Sequence, residues 1–156
     1  MAIQTNALSD YQRWKKANSD TNFSIFDYLH CSALDKKIPV DFCIALFELF
    51  YPEFILIDNH VFLKEEYERD KYLELVKQNC TKKDVEYWMN LLNIDALFYR
   101  EEIEDKDSFE NALFFICEQI VDLWSQKLHK EFSDRQFFVN YIRDDGEMYI
   151  VFYEQT

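Results

Sequence analysis

Residues 137–154 read FFVNYIRDDGEMYIVFYE, two runs rich in aromatic and β-branched residues that meet at Asp145-Gly146. Asp-Gly is the strongest short hairpin signal, because a two-residue turn that matches strand twist needs positive φ at its centre, which glycine adopts without a steric penalty. The chain has one glycine, and it stands where that turn needs it. A second pair of runs, FILI at 54–57 and HVFL at 60–63, flanks Asp58-Asn59, two residues that tolerate the same backbone.

What lies between the hairpins reads as helix, so the expected class is a helix-rich α+β fold. Two arrangements are open for the strands: one four-stranded antiparallel sheet covered by helices, or two separate hairpins. Leu8 to Ala17 reads as a short first helix with Tyr11 and Trp14 on one side. Ser24 with Asp27 forms a capping-box pattern for a second helix that ends near Cys31 to Ala33. Pro39 suits the first turn of a third, and the VDFCIALFELFY that follows is apolar on nearly every side until Pro52, which places this helix in the centre of the domain.

Lys64 to Gln78 is predominantly charged and reads as a surface helix. Thr81 with Asp84 repeats the capping box, ahead of Val85, Trp88, Met89 and Leu92 at i, i+3, i+4 and i+7, the spacing of a buried stripe. Asp107 with Glu110 repeats it again, opening a long helix to about Phe132 whose stripe is Phe109, Leu113, Ile116, Ile120, Trp124 and Leu128. No repeat, low-complexity tract or linker interrupts residues 1–156, which read as one domain with residues 1–7 loose.

The 156 residues are 49% hydrophobic and 18% aromatic, enough to offset the entropy of ordering the chain in a ring-rich core. The most apolar run, Phe42 to Ile57, is broken by Glu48, Pro52 and Glu53, so no membrane span is expected. The first residues lack the basic start and apolar centre of a signal peptide, and the expected location is the cytoplasm. Cys31, Cys43, Cys80 and Cys117 form no CxxC pair and read as packed thiols, Cys80 being the one in a polar setting.

Net charge is −13. Of the 17 Lys/Arg and 30 Asp/Glu, residues 1–40 carry five and four, leaving 12 against 26 in the body of the fold. Such a field repels nucleic acid and anionic membranes and draws in basic proteins. The densest acidic stretch is EEIEDKD, where Glu101, Glu102, Glu104, Asp105 and Asp107 are the candidate partner-binding residues. The same stretch precedes a helix, where the dipole favours negative charge without any ligand.

Motifs for chemistry are sparse. Zinc ligation needs paired ligands that local structure can aim at one ion, and neither CxxC nor HxxxH occurs. EEIEDKD lacks the oxygen spacing and glycine of a calcium loop. No GxGxxG, GxxxxGK[ST] or GxSxG is found, and one glycine leaves no backbone loop to approach a pyrophosphate. No metal or cofactor site and no catalytic residue is assigned. His60, just past a turn, reads as facing solvent.

Three readings follow. The first is a non-catalytic acidic domain that binds a basic protein, of the kind an immunity protein or antitoxin uses against a nuclease or similar toxin. The second is a small-molecule binder or enzyme with a pocket between helices and sheet, using His30, His60 or His129. The third is a homodimeric subunit joined through an aromatic face.

Overall fold

The computed structural model describes residues 9–98 and 106–155. Six helices and five strands follow one another among them: α1 (Ser9–Ala17), α2 (Ile25–Lys36), α3 (Val40–Phe50), β1 (Phe54–Ile57), β2 (His60–Leu63), α4 (Arg69–Lys77), α5 (Lys82–Met89), β3 (Leu92–Asn93), α6 (Lys106–Glu131), β4 (Phe137–Asp144) and β5 (Glu147–Glu154). A 3₁₀ turn, Asp95–Leu97, follows β3. The class is α+β, as expected, and both hairpins form at the predicted residues. Residues 1–7 lie outside the described range.

The local devices are those written in the sequence. Asp58, Asn59, Asp145 and Gly146 have φ of 48, 68, 47 and 84°, the positive values that close two-residue hairpin turns. Ser24 and Thr81 each complete a capping box with Asp27 and Asp84, satisfying helix N–H groups that have no partner inside the helix. α2 runs on to Lys36, past the expected end, and stops where Lys37 turns left-handed and Ile38 N–H closes onto the Ala33 carbonyl. At α6, Asp107 stands inside the first turn instead of capping it, because the helix already runs at Lys106. α4 begins only at Arg69; residues 64–68 are irregular.

The hairpins do not share a ladder. β1 and β2 form one two-stranded sheet, and β3-β5-β4 form a second, with β5 central. The main core lies between this second sheet, the β1–β2 hairpin and α6. Phe54, Trp124 and Phe152 meet there edge to face, with ring centroids 5.2 to 6.1 Å apart. Val61 and Leu63 join them, while Phe62, pointing the other way from the same strand, packs with Tyr72, Val85 and Met89 under α4 and α5. β2 is therefore buried on both faces.

The expectation for α3 is overturned. None of its residues is buried, and Val40 and Phe47 are 76% and 72% exposed. A helix that is apolar all round is buried only if neighbours surround it, and here only Leu49 and Phe50, at its end, touch the core. The Trp124 indole N–H donates to the Leu49 carbonyl (2.9 Å) and ties that end to α6. α1 and α2 pack on each other through Tyr11, Trp14, Phe23 and Tyr28, with Phe26, Leu29 and Leu34 left exposed. Cys43, read as packed, is exposed for the same reason, whereas Cys80 is half-buried and Cys117 is fully buried.

Candidate functional site

The expected partner-binding residues Glu101, Glu102, Glu104 and Asp105 lie outside the described residues. Asp107 is exposed in the first turn of α6, beside Lys106, where the helix dipole favours its charge. Of the three histidines, His30 and His129 are exposed. His129 lines a cleft of about 270 Å³ with Ser125, Arg135 and Gln136, and no carboxylate contributes to that lining.

His60 departs from the expectation that it faces solvent. Its ring stacks on Phe62 (5.7 Å) and meets Tyr72 edge-on (5.7 Å), and its Nδ1 is buried with no hydrogen-bond partner, 3.9 Å from Glu86 Oε1. Burial holds its pKa below the ordinary value, helped by Lys82 and opposed by Asp58 and Glu154. α4 and α5 close over the turn, so a residue that begins a hairpin ends up covered. Tyr72 O–H donates to Asp58 Oδ2 (3.1 Å), and the Arg135 guanidinium donates to the Asn59 carbonyl (3.1 Å) and Asn59 Oδ1 (2.6 Å), fixing the turn from both sides. Lys82 and Arg135 both pair with Glu154.

Beneath this cluster, Glu86 of α5 and Asn90, the C-cap of that helix, are fully buried, and they perform the join that a shared ladder would have made. Val61 N–H donates to Glu86 Oε1 (3.1 Å) and Glu154 N–H to Glu86 Oε2 (2.6 Å). Leu63 N–H donates to Asn90 Oδ1 (3.1 Å), while Asn90 Nδ2 donates to the carbonyls of Val61 (2.9 Å) and Phe152 (3.3 Å). The facing edges of β2 and β5 are thus stapled by two side chains one helical turn apart. Burial raises the Glu86 pKa, with the two backbone N–H groups working against it. The arrangement is closed and internally satisfied, so its chemistry is structural.

The sequence pattern missed this pair. It placed Val85, Trp88, Met89 and Leu92 on the buried face of α5; the buried residues of α5 and its cap are instead Val85, Glu86, Met89 and Asn90, and Trp88 is exposed, edge-on to Tyr87. Two polar residues at i and i+4 before a strand carry no sequence signal that distinguishes a staple from a solvated face.

The burial of Cys117 pushes its thiol up to about 11, which removes it as a nucleophile at neutral pH. Among the described residues no group of three or more His, Cys, Asp or Glu could hold a metal ion. No helix among them is long and apolar enough to cross a membrane.

A cleft of about 160 Å³ lies between the end of α3, β2, β3 and α6, lined by Leu49, Pro52, Leu63, Leu92, Leu97 and Trp124. Three glutamates, Glu48, Glu65 and Glu66, also line it, and all three are exposed. Glu48 comes from the last turn of α3 and the other two from the irregular segment after β2, so only the tertiary fold brings them to one rim.

No family model, no curated protein and no solved structure matches this chain.

Proposed function

We propose that this chain is a non-catalytic, cytoplasmic binding domain whose acidic surface engages a basic protein partner. The observation that carries the reading is the charge the fold leaves on its surface. Residues 41–156 hold 26 Asp/Glu against 12 Lys/Arg, and Glu48, Glu65, Glu66, Glu68, Asp144 and Asp145 are all exposed. Among the described residues none of these six is in an ion pair with Lys or Arg. Surface charge of one sign steers a partner of the other sign and sets association rate more than it sets dissociation. An inhibitor of a nucleic-acid-binding enzyme, which presents the charge of that enzyme's substrate, fits this description.

The test is capture of partners from the native lysate at low and high salt, followed by kinetics on the partner found. A basic protein retained at low salt and weakened at high salt is expected. Reversing charge at Glu101, Glu102, Glu104 and Asp105 should then slow association while leaving unfolding cooperative. Unchanged association would remove that stretch from the proposed face, and no salt-sensitive basic partner at all would sink the reading.

A second reading, self-association through α2 and α3, has one observation in its favour: both helices leave large apolar side chains exposed, and α3 carries only Asp41 and Glu48 as charged residues. Light scattering of the wild type and of Phe47→Asp separates them, since a dimer that Phe47→Asp splits supports this second reading and a monomer in both excludes it.

A further inference from the structure

The glutamate-rimmed cleft has a floor and a rim of opposite character, and few side chains suit both. Its floor is hydrocarbon, supplied by Leu63, Leu92 and Leu97 together with Trp124, whose indole is already committed to the Leu49 carbonyl. Its rim is Glu48, Glu65 and Glu66, none in an ion pair among the described residues. Lys64, engaged by Glu53 at 2.6 Å, lies within electrostatic reach of Glu48 and Glu65 without forming an ion pair with either. Glu48 also stands in the last turn of α3, the negative end of a helix, which holds no basic residue of its own; Lys127, the cation at that end, lies over the Tyr51 ring (4.1 Å). The α3 terminus and the three carboxylates therefore favour a cation at the same place.

From this we infer that the cleft receives the side chain of a lysine or arginine carried by the partner protein. These are the residues with an aliphatic stem long enough to lie along the floor and a charged head left at the wet rim. A neutral apolar side chain would cover the floor and bring the carboxylates no ion pair, and an acidic one would be repelled. A volume of about 160 Å³ is on the order of ten times what one water needs, room for one such side chain. The inference rests on the basic-partner reading, whose charge surplus it gives a specific point of contact.

The test needs no partner. The full chain, labelled with ¹⁵N, is titrated at constant ionic strength with the N-acetyl N-methylamides of lysine, arginine and norleucine. The two cations should shift the amides of Leu63, Leu92 and Leu97 and the Trp124 indole. Exposed charge pairs contribute a few-fold each, so three together predict about a tenfold preference over norleucine. In Glu48→Gln/Glu65→Gln/Glu66→Gln, which alters only exposed side chains and should keep the spectrum of a folded protein, lysine should fall to the level of norleucine. Equal affinity for lysine and norleucine in the wild type, or shifts that map away from the cleft, would overturn the assignment. Failure here with a basic partner captured from lysate removes the cleft and spares the partner; cation binding here with no such partner does the reverse.

Discussion

Asn90 offers the sharpest perturbation of the fold. Truncation in Asn90→Ala leaves the Leu63 N–H and the Val61 and Phe152 carbonyls without their partner, in a site with no solvent exposure. A buried polar group stranded in this way costs about 1–3 kcal/mol, with carbonyls toward the lower end because their geometry is more forgiving. The three together give an expected loss of about 3–5 kcal/mol, against a net stability of about 5–15 kcal/mol for a domain. Urea unfolding followed by far-UV circular dichroism and tryptophan fluorescence measures it. Gln126→Ala, an exposed helical change, is the control expected within about 0.5 kcal/mol of wild type. Hydrogen exchange adds location: Val61 and Leu63 amides should lose protection while the β4–β5 ladder keeps it. A loss below about 1 kcal/mol with Leu63 still protected would refute the claim that the staple joins the two sheets.

The pH dependence has two opposed parts, set by the same cluster. His60 has its folded pKa below the ordinary value of about 6.5, so its stabilising contribution is complete above that value and is lost as pH falls from about 6.5 through the folded pKa. His60→Phe keeps a ring against Phe62 and Tyr72, and its unfolding free energy should fall less over that range than the wild type's; parallel curves would show that His60 does not titrate on unfolding. Glu86 has a raised pKa, so its contribution weakens as pH rises from about 4.5 through its folded value, which works against the gain from His60 where the two ranges overlap. Thiol labelling at pH 8 should modify Cys43 within the native protein and leave Cys117 untouched until urea is added, as read by peptide mass spectrometry; rapid native labelling of Cys117 would contradict its burial.

Much of the fold was legible because it is built from short-range signals. Turn residues with positive φ at 58–59 and 145–146 and capping boxes at Ser24 and Thr81 act within four residues, so their chemistry reads directly off the chain. β3 was not foreseen: at two residues, Leu92 and Asn93 have no periodicity to detect, and they are a strand only because the open edge of β5 lies beside them. That edge is covered by one continuous segment, with Glu86 at Glu154, Asn90 at Phe152, Leu92 at Ile150 and both Ile94 and Asp95 at Met148.

The sequence by itself determined the α+β class, the two hairpins, the acidic body and the stripe of α6. Those follow from composition and from contacts between near neighbours along the chain. Tertiary structure alone decided that α3 lies at the surface, that His60 is covered, that Glu86 and Asn90 face inward and Trp88 outward, and that Glu48 meets Glu65 and Glu66 across an apolar cleft. The reason is physical. Whether an apolar or polar side chain is buried depends on what another element, tens of residues away, presents to it, and a strand edge that needs donors and acceptors makes a buried glutamate and asparagine more favourable than the hydrocarbon that periodicity would put there.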